Sequence, residues 1–380
     1  MELHMQHASV AVPDAKKATQ DATLNNASTT SEIDTSQMVF TPLQFHGDTK
    51  TFFRIWIVNT LLTIVTLGIY SAWATVRTNR YIYGNTELNG HRFAYLAEPM
   101  QILKGRLIGA AVLCSYVILT SFSPIAAGAL GLVLSALTPI LIVMGLRFRL
   151  RMTAYRNVRF GFKGKFGRAF VVFSLFPLLS AFTVGLALPW VLKKMSEFLY
   201  SNISFGDRTM QSALSNRTYY KTCLLGILVG FPVFLVSVIF MGFAFSGSLT
   251  DFSDQINFSL LILLISVNYI ACFIVISSFY IARTREHIFE NSEIEGVARF
   301  RSEVGFLSLA WLQMSNFIAV IATLGLAYPW TKIRSARFWS TMSSVNVLPG
   351  AEQVIAHEQD KTDSIADEVA GVLDVDVSLG

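Results

Sequence analysis

Seven apolar segments, at about 52–74, 106–123, 125–146, 169–192, 222–245, 258–282 and 304–330, leave this 380-residue chain few folds to choose from. Stretches of that length and polarity cannot all hide in a soluble core, so they need lipid as their solvent. A hydrophobic content of 53% and a mean hydropathy of +0.50 agree with an integral membrane protein. Met1–Asn25 lacks the apolar run of a cleavable signal, so insertion is expected to be directed by the internal segments.

Charge placement gives the segments a topology. Cations follow segment one (Arg77, Arg80, Arg92, Lys104, Arg106), segment three (Arg147 to Arg168), segment four (Lys193, Lys194, Arg208, Arg217, Lys221), segment six (Arg283, Arg285, Arg299, Arg301) and segment seven (Lys332, Arg334, Arg337). The loops at 123–125 and 246–257 carry none, and the longer one holds Asp251 and Asp254 instead. Basic loops stay on the cytoplasmic side, so segments two plus three and five plus six read as membrane-crossing hairpins. Segments one, four and seven remain. Segment four has basic loops on both flanks, and a simple crossing would put one of them on the wrong side.

Those three segments share a motif. Thr66–Arg80 reads TLGIYSAWATVRTNR, Thr183–Lys194 reads TVGLALPWVLKK and Thr323–Arg337 reads TLGLAYPWTKIRSAR. Gly68, Gly185 and Gly325 thus each precede a tryptophan (Trp73, Trp190, Trp330) by five residues, with cations following. One such copy is a helix end with an interfacial anchor; three at fixed spacing form an architectural unit. A re-entrant or in-plane helix broken at the glycine resolves the charge conflict, because its end returns to the face where it began. Seven plain spans with one violation of the charge rule is the competing topology.

Four further stretches repeat an aromatic, an Asn two residues on and a large apolar residue three beyond: Tyr83/Asn85/Leu88, Tyr155/Asn157/Phe160, Tyr200/Asn202/Phe205 and Phe289/Asn291/Ile294. Alternation in NTELNG (85–90) and NSEIEG (291–296) suggests short strands turning at glycine, a small sheet-like layer on the cytoplasmic face. The expected fold is therefore an all-α polytopic bundle of two transmembrane hairpins and three Gly-broken helices, with short cytoplasmic β-like segments. Internal repeats are expected at about 40–150, 155–285 and 290–345. Residues 1–38 read as a disordered tail and 346–380 as an acidic tail of net charge −7, with one weak amphipathic helix near Ser364–Leu373.

The run FHGDTKTFFRIWIVNTLLTIVTLGIYSAW, continued by RYIYGNTELNGHRF and later by RNVRFGF and TLGLAYPWTKIRSARFW, closely resembles the YjgN-like family of bacterial inner-membrane proteins. The resemblance spans about 40–345. It implies a multi-pass protein of the bacterial inner membrane and brings no catalytic or binding residues with it; the charge-based topology places both tails on the cytoplasmic side. Ala72 departs from the proline that the other two copies carry at that position.

An enzyme working at membrane depth needs convergent ionisable groups, and the apolar segments hold essentially no Asp, Glu, Lys or His. No enzyme activity, metal or cofactor is expected. Cys114, Cys223 and Cys272 stand alone, His4 and His7 lie in the first tail, and the basic loops suit lipid better than nucleic acid. The polar groups left inside are neutral: Asn59 and Asn316, each nine residues before its glycine, and Asn268. They either hydrogen-bond between helices or line a path for a small neutral or zwitterionic solute. Lys193, Lys194, Arg334 and Arg337 either set topology or contact anionic lipid headgroups. Two function classes follow: transport of a small solute or lipid, and a non-transporting scaffold that organises anionic lipid, with an oligomer allowed in either.

Overall fold

Helical hairpins and β-hairpins alternate along the chain. The structure, a computed structural model, describes residues 39–243, 255–355 and 357. The expected N-terminal tail, the acidic tip of the second transmembrane hairpin at Asp251 and Asp254, and the helix near Ser364–Leu373 lie outside the described residues. Strands β1 (Thr41–Pro42) and β2 (Gln44–Phe45) open the chain, followed by helices α1 (Thr49–Val65) and α2 (Ser71–Gly84). Strands β3 (Thr86–Leu88) and β4 (His91–Tyr95) lead to α3 (Pro99–Phe122) and α4 (Pro124–Arg151); β5 (Thr153–Tyr155) and β6 (Val158–Phe162) lead to α5 (Phe166–Phe170), a π-turn at Val171–Leu175, α6 (Phe176–Phe182) and α7 (Leu188–Tyr200). Then come β7 (Ile203–Phe205), β8 (Arg208–Ser212), α8 (Asn216–Phe243), α9 (Gln255–Glu290), β9 (Ser292–Ile294), β10 (Ala298–Ser302), α10 (Phe306–Ala322), α11 (Tyr328–Thr341) and β11 (Ser343–Val347). A last helix, α12, begins at 350 and runs through 355.

The expectation of an all-α fold is corrected. All eleven strands join one antiparallel sheet, in the order β1-β11-β10-β9-β8-β7-β6-β5-β4-β3-β2. Its two edges are consecutive in sequence. Thr41 pairs with Val345 and the Leu43 amide donates to the Ser343 carbonyl at 3.0 Å, while Gln44 pairs with Glu87 and the His46 amide donates to the Asn85 carbonyl at 2.9 Å. One short extended segment thus changes partner at Leu43 and nearly closes the sheet into a barrel. Closure removes free strand edges, the usual weakness of an isolated sheet. The β-like segments are read correctly from NTELNG and NSEIEG. Their assembly into a barrel is not, because each strand is two to five residues long and its neighbour lies beyond a turn or an entire helical hairpin.

Among the described residues four helices are long and apolar enough to cross a membrane, at Pro99–Phe122, Pro124–Arg151, Asn216–Val236 and Ile265–Glu290. Large apolar side chains such as Leu107, Ile108, Leu113, Ile118, Leu132 and Leu141 stand more than half exposed along α3 and α4, as lipid-facing residues do.

The three breaks share one geometry. Leu67, Val184 and Leu324 have φ of 50°, 52° and 48°, followed by Gly68, Gly185 and Gly325 at 92°, 81° and 92°. Each glycine amide donates five residues back, to the carbonyls of Thr63, Ser180 and Val320 at 2.8, 3.1 and 2.8 Å. The hydroxyls of Thr66, Thr183 and Thr323 then accept from the amides of Tyr70, Ala187 and Ala327 at 2.9, 3.1 and 2.9 Å, capping the second helix. Ala72 leaves the first break unchanged. The paired helices fold back on each other: Asn59 Nδ2 donates to the Ala74 carbonyl at 3.5 Å, the Phe176 and Trp190 rings lie 4.6 Å apart, and Asn316 Nδ2 donates to Ser335 Oγ at 3.0 Å. Pro177 follows the π-turn, which widens the helix where the proline ring would otherwise meet the carbonyl four residues before it.

Three of the four aromatic-Asn stretches are helix-to-strand junctions. The side-chain amides of Asn85, Asn202 and Asn291 donate to the carbonyls four residues earlier at 2.7, 2.7 and 2.8 Å and end their helices. The fourth differs: Arg156 and Asn157, with φ of 50° and 69°, form the β5–β6 turn itself. Two consecutive positive φ values match the twist of a tight hairpin.

Candidate functional site

Short twisted strands turn alternate side chains inward, and here the inward set is almost wholly apolar. Leu88, Tyr155, Phe205, Met210, Ile294 and Val345 are buried against one another in the barrel interior. Tilted rings pack through it, with Phe93–Tyr155 centroids 5.0 Å apart and Phe160–Phe205 5.2 Å apart. Packing is incomplete. A cavity of about 570 Å³ occupies the lumen, walled by the strands and by the helix ends at Tyr83, Phe289 and Trp339. A second cavity of about 560 Å³ shares Leu43, Ile82, Tyr83, Phe93 and Phe160 with the first and extends to Leu146 and Leu150 on α4 and Leu199 on α7.

The chain after β11 covers part of the lumen. Composition puts residues 346–380 in the acidic tail, yet Asn346 and Val347 complete β11, and Ala351, Val354 and Ile355 are buried in the barrel cluster. The Leu348 amide donates to the Val297 carbonyl at 2.8 Å. Gly350 lies so close that a Cβ there would stand 2.3 Å from the Gly296 carbonyl oxygen. Glu352 accepts both Nη groups of Arg156, Nη2 at 3.0 Å, and latches α12 to the β5–β6 turn. Those hydrogen bonds hold the Glu352 carboxyl below its ordinary value and raise Arg156. Burial raises the Tyr155 phenol, whose hydroxyl donates to the Leu88 carbonyl at 2.9 Å.

Among the described residues two charged side chains line the first cavity, Arg156 and Arg285, and Arg149 lines the second. The Arg156 charge is balanced by Glu352. Arg285 Nε donates to Ser302 Oγ at 3.1 Å and its Nη2 to Ser343 Oγ at 2.8 Å. Its guanidinium lies 4.3 Å from the Phe289 ring centroid and 4.6 Å from that of Trp339. Charge placement counted Arg285 only as one topology cation among many; nothing in its local sequence sets it apart.

The sequence-selected residues lie elsewhere. Gly68, Gly185 and Gly325 sit at open hairpin tips, with no atom within 4 Å of where a Cβ would be. Trp73 stacks on Tyr70, Trp190 packs at a tilt against Phe176, and Arg334 lies 5.1 Å over Trp330. Asn59 is buried, its Oδ1 without a hydrogen-bond partner among the described residues, beside a separate cleft of about 460 Å³ that also takes Ser71, Thr75 and Arg106. Asn316 Oδ1 accepts from Arg334 at 2.9 Å, and Asn268 is half-buried on α9. Lys193 and Lys194 share Glu197 at 3.0 and 2.9 Å, and Arg337 Nη2 donates to the Gly47 carbonyl at 3.4 Å. All four headgroup candidates therefore have intramolecular partners. Among the described residues no three His, Cys, Asp or Glu side chains gather into a metal-binding group.

A family model described as "Bacterial protein of unknown function (DUF898)" matches residues 40–372, which takes in the barrel and every described helix. The chain belongs to this family. Inner membrane protein YjgN of Salmonella typhimurium is 29% identical, the match covering 77% of this chain and 85% of the relative. Its counterparts in Escherichia coli O157:H7 and in strain K12 are each 27% identical, covering 76% of this chain and 84% of theirs. No solved structure matches. With four helices of membrane-spanning length among the described residues, the family member described here is an integral inner-membrane protein.

Proposed function

We propose that this protein is a non-enzymatic carrier of an amphiphile, taking a lipid-like molecule from the bilayer into the barrel lumen for transport. One observation carries the reading: an apolar cavity of about 570 Å³, sharing its walls with a second that reaches the helix ends. Ligand sites typically enclose about 300–1,000 Å³, and apolar lining binds through area removed from water. A small neutral or zwitterionic solute would find few polar partners there. The cleft at Asn59, whose buried Oδ1 has no hydrogen-bond partner among the described residues, is the observation that favours such a solute instead. The scaffold alternative draws on the cations beside the tryptophans, which are engaged within the chain.

The proposed topology is multi-pass, with the barrel and both tails on the cytoplasmic side and the three broken hairpins, copies of one unit, re-entering that face. Its support is that both ends of each hairpin feed strands of a single sheet, while the apolar tips Leu67, Val184 and Leu324 are 95%, 93% and 95% exposed. Lipid is the partner this leaves for them.

Filling the lumen tests the carrier reading. Purified wild type should carry an amphiphile detectable by native mass spectrometry, and Ala298→Trp, placing an indole in the cavity wall, should remove it. An unchanged lipid complement in a folded A298W protein would sink the proposal.

A further inference from the structure

We infer that Arg285 is the recognition residue of the lumen and that its amphiphile is anionic, an apolar chain ending in a carboxylate or a phosphate. This rests on reading the lumen as an amphiphile site. An arginine in an apolar wall is costly unless its charge is matched. Among the described residues no carboxylate pairs with Arg285, whereas the other lumen arginine, Arg156, is matched by Glu352.

The side chain is nonetheless held in place. Ser302 is 1% exposed and donates its hydroxyl proton to the Met342 carbonyl at 3.0 Å; Ser343 is 4% exposed and donates to the Trp339 carbonyl at 2.7 Å. Both oxygens are thereby turned to accept from the guanidinium. Phe289 and Trp339 support it by cation–π contact, which favours the charge without neutralising it. Two of five N–H donors are used, and the rest of the planar fork remains for a ligand, in the geometry that suits carboxylate and phosphate oxygens. Ser302 ends β10 and Ser343 begins β11, so the charge sits at the seam between sheet and helices, within reach of an amphiphile whose chain lies in the lumen.

The test uses delipidated full-length protein and three probes with one chain: palmitate, hexadecyl phosphate and hexadecanol. Wild type should bind at least one anionic probe about tenfold or more tightly than the alcohol, as expected for a charge-assisted hydrogen bond, and the tighter of the two identifies the headgroup. Arg285→Gln should abolish the preference by weakening the anionic probes to the level of the alcohol, and Arg285→Lys should keep part of it. Wild type that binds all three probes equally overturns the anionic assignment and leaves the lumen reading standing. A folded R285Q protein that keeps the preference overturns the role of Arg285. Failure of every probe to bind wild type removes the lumen reading itself. Should R285Q not fold, the wild-type comparison of anion against alcohol still decides whether the site is anionic.

Discussion

Backbone handedness decides the three breaks. At Gly325, with φ of 92° and open space around it, an added methyl meets no neighbour, so the cost of Gly325→Ala is conformational alone. Left-handed backbone costs an L-residue roughly 1–2 kcal/mol, and G325A should lower stability by about that much in a detergent thermal melt. The preceding leucine already carries such strain at φ of 48°, held by the glycine amide's bond to Val320 and by the Thr323 cap. Charge pairing is the other effect legible at this scale. Burial would raise the Glu197 carboxyl, but hydrogen bonds from Lys194 and Lys193 outweigh it and hold it below its ordinary value. A lowered carboxyl stabilises the fold above its unfolded pKa, and that stability is lost as pH falls through the lowered value. Glu197→Gln should therefore cost roughly 2 kcal/mol at neutral pH, leaving Lys193 buried without its partner, and the deficit should shrink in acid.

At the scale of elements, the broken hairpins are distinguished by where their ends go. Lys165 before α5 and Arg208 on β8 are both exposed and flank the broken segment Phe166–Tyr200. Both lie at the sheet, so Lys165→Cys and Arg208→Cys should react with a membrane-impermeant thiol reagent from the same side of the membrane. Val184→Cys, at the apolar tip, should stay unreactive from either side. Labelling of the two flanks from opposite sides would require the segment to cross. Charge counting is the sequence argument for the proposed topology, because a basic loop on each flank is what a chain anchored at one face produces.

For the whole molecule, the barrel mouth depends on a single helix. Removing the chain beyond Val347 takes away Ala351, Val354 and Ile355 and should open the lumen to an environment-sensitive dye, raising its fluorescence. Glu352→Gln should do so in part by loosening the Arg156 latch. Hydrogen bonds from Arg156 hold the Glu352 carboxyl below its ordinary value, so the latch is present at neutral pH and weakens as pH falls through the lowered value. Dye accessibility should rise in acid for wild type and be flat for E352Q. The same chain end that closes the sheet, β11 pairing with both β1 and β10, thus also covers its interior.

Local rules determined much of this protein from sequence alone. Membrane residence follows from seven apolar segments, the breaks from a Thr-x-Gly motif that supplies both a cap and a left-handed residue, and the β3 and β9 turns from glycines at 90 and 296. Each of these depends on neighbours within about five residues, and so leaves a trace in the order of residue types. The barrel does not. Its strands are too short to show periodicity, and its closure joins residues about three hundred positions apart, Thr41 to Val345, which no window of sequence contains. Arg285 and Arg156 read as ordinary loop cations until the sheet places both at one apolar lumen and gives a carboxylate to only one of them. Which polar groups find partners is settled by contacts distant in sequence, and tertiary structure alone supplies those.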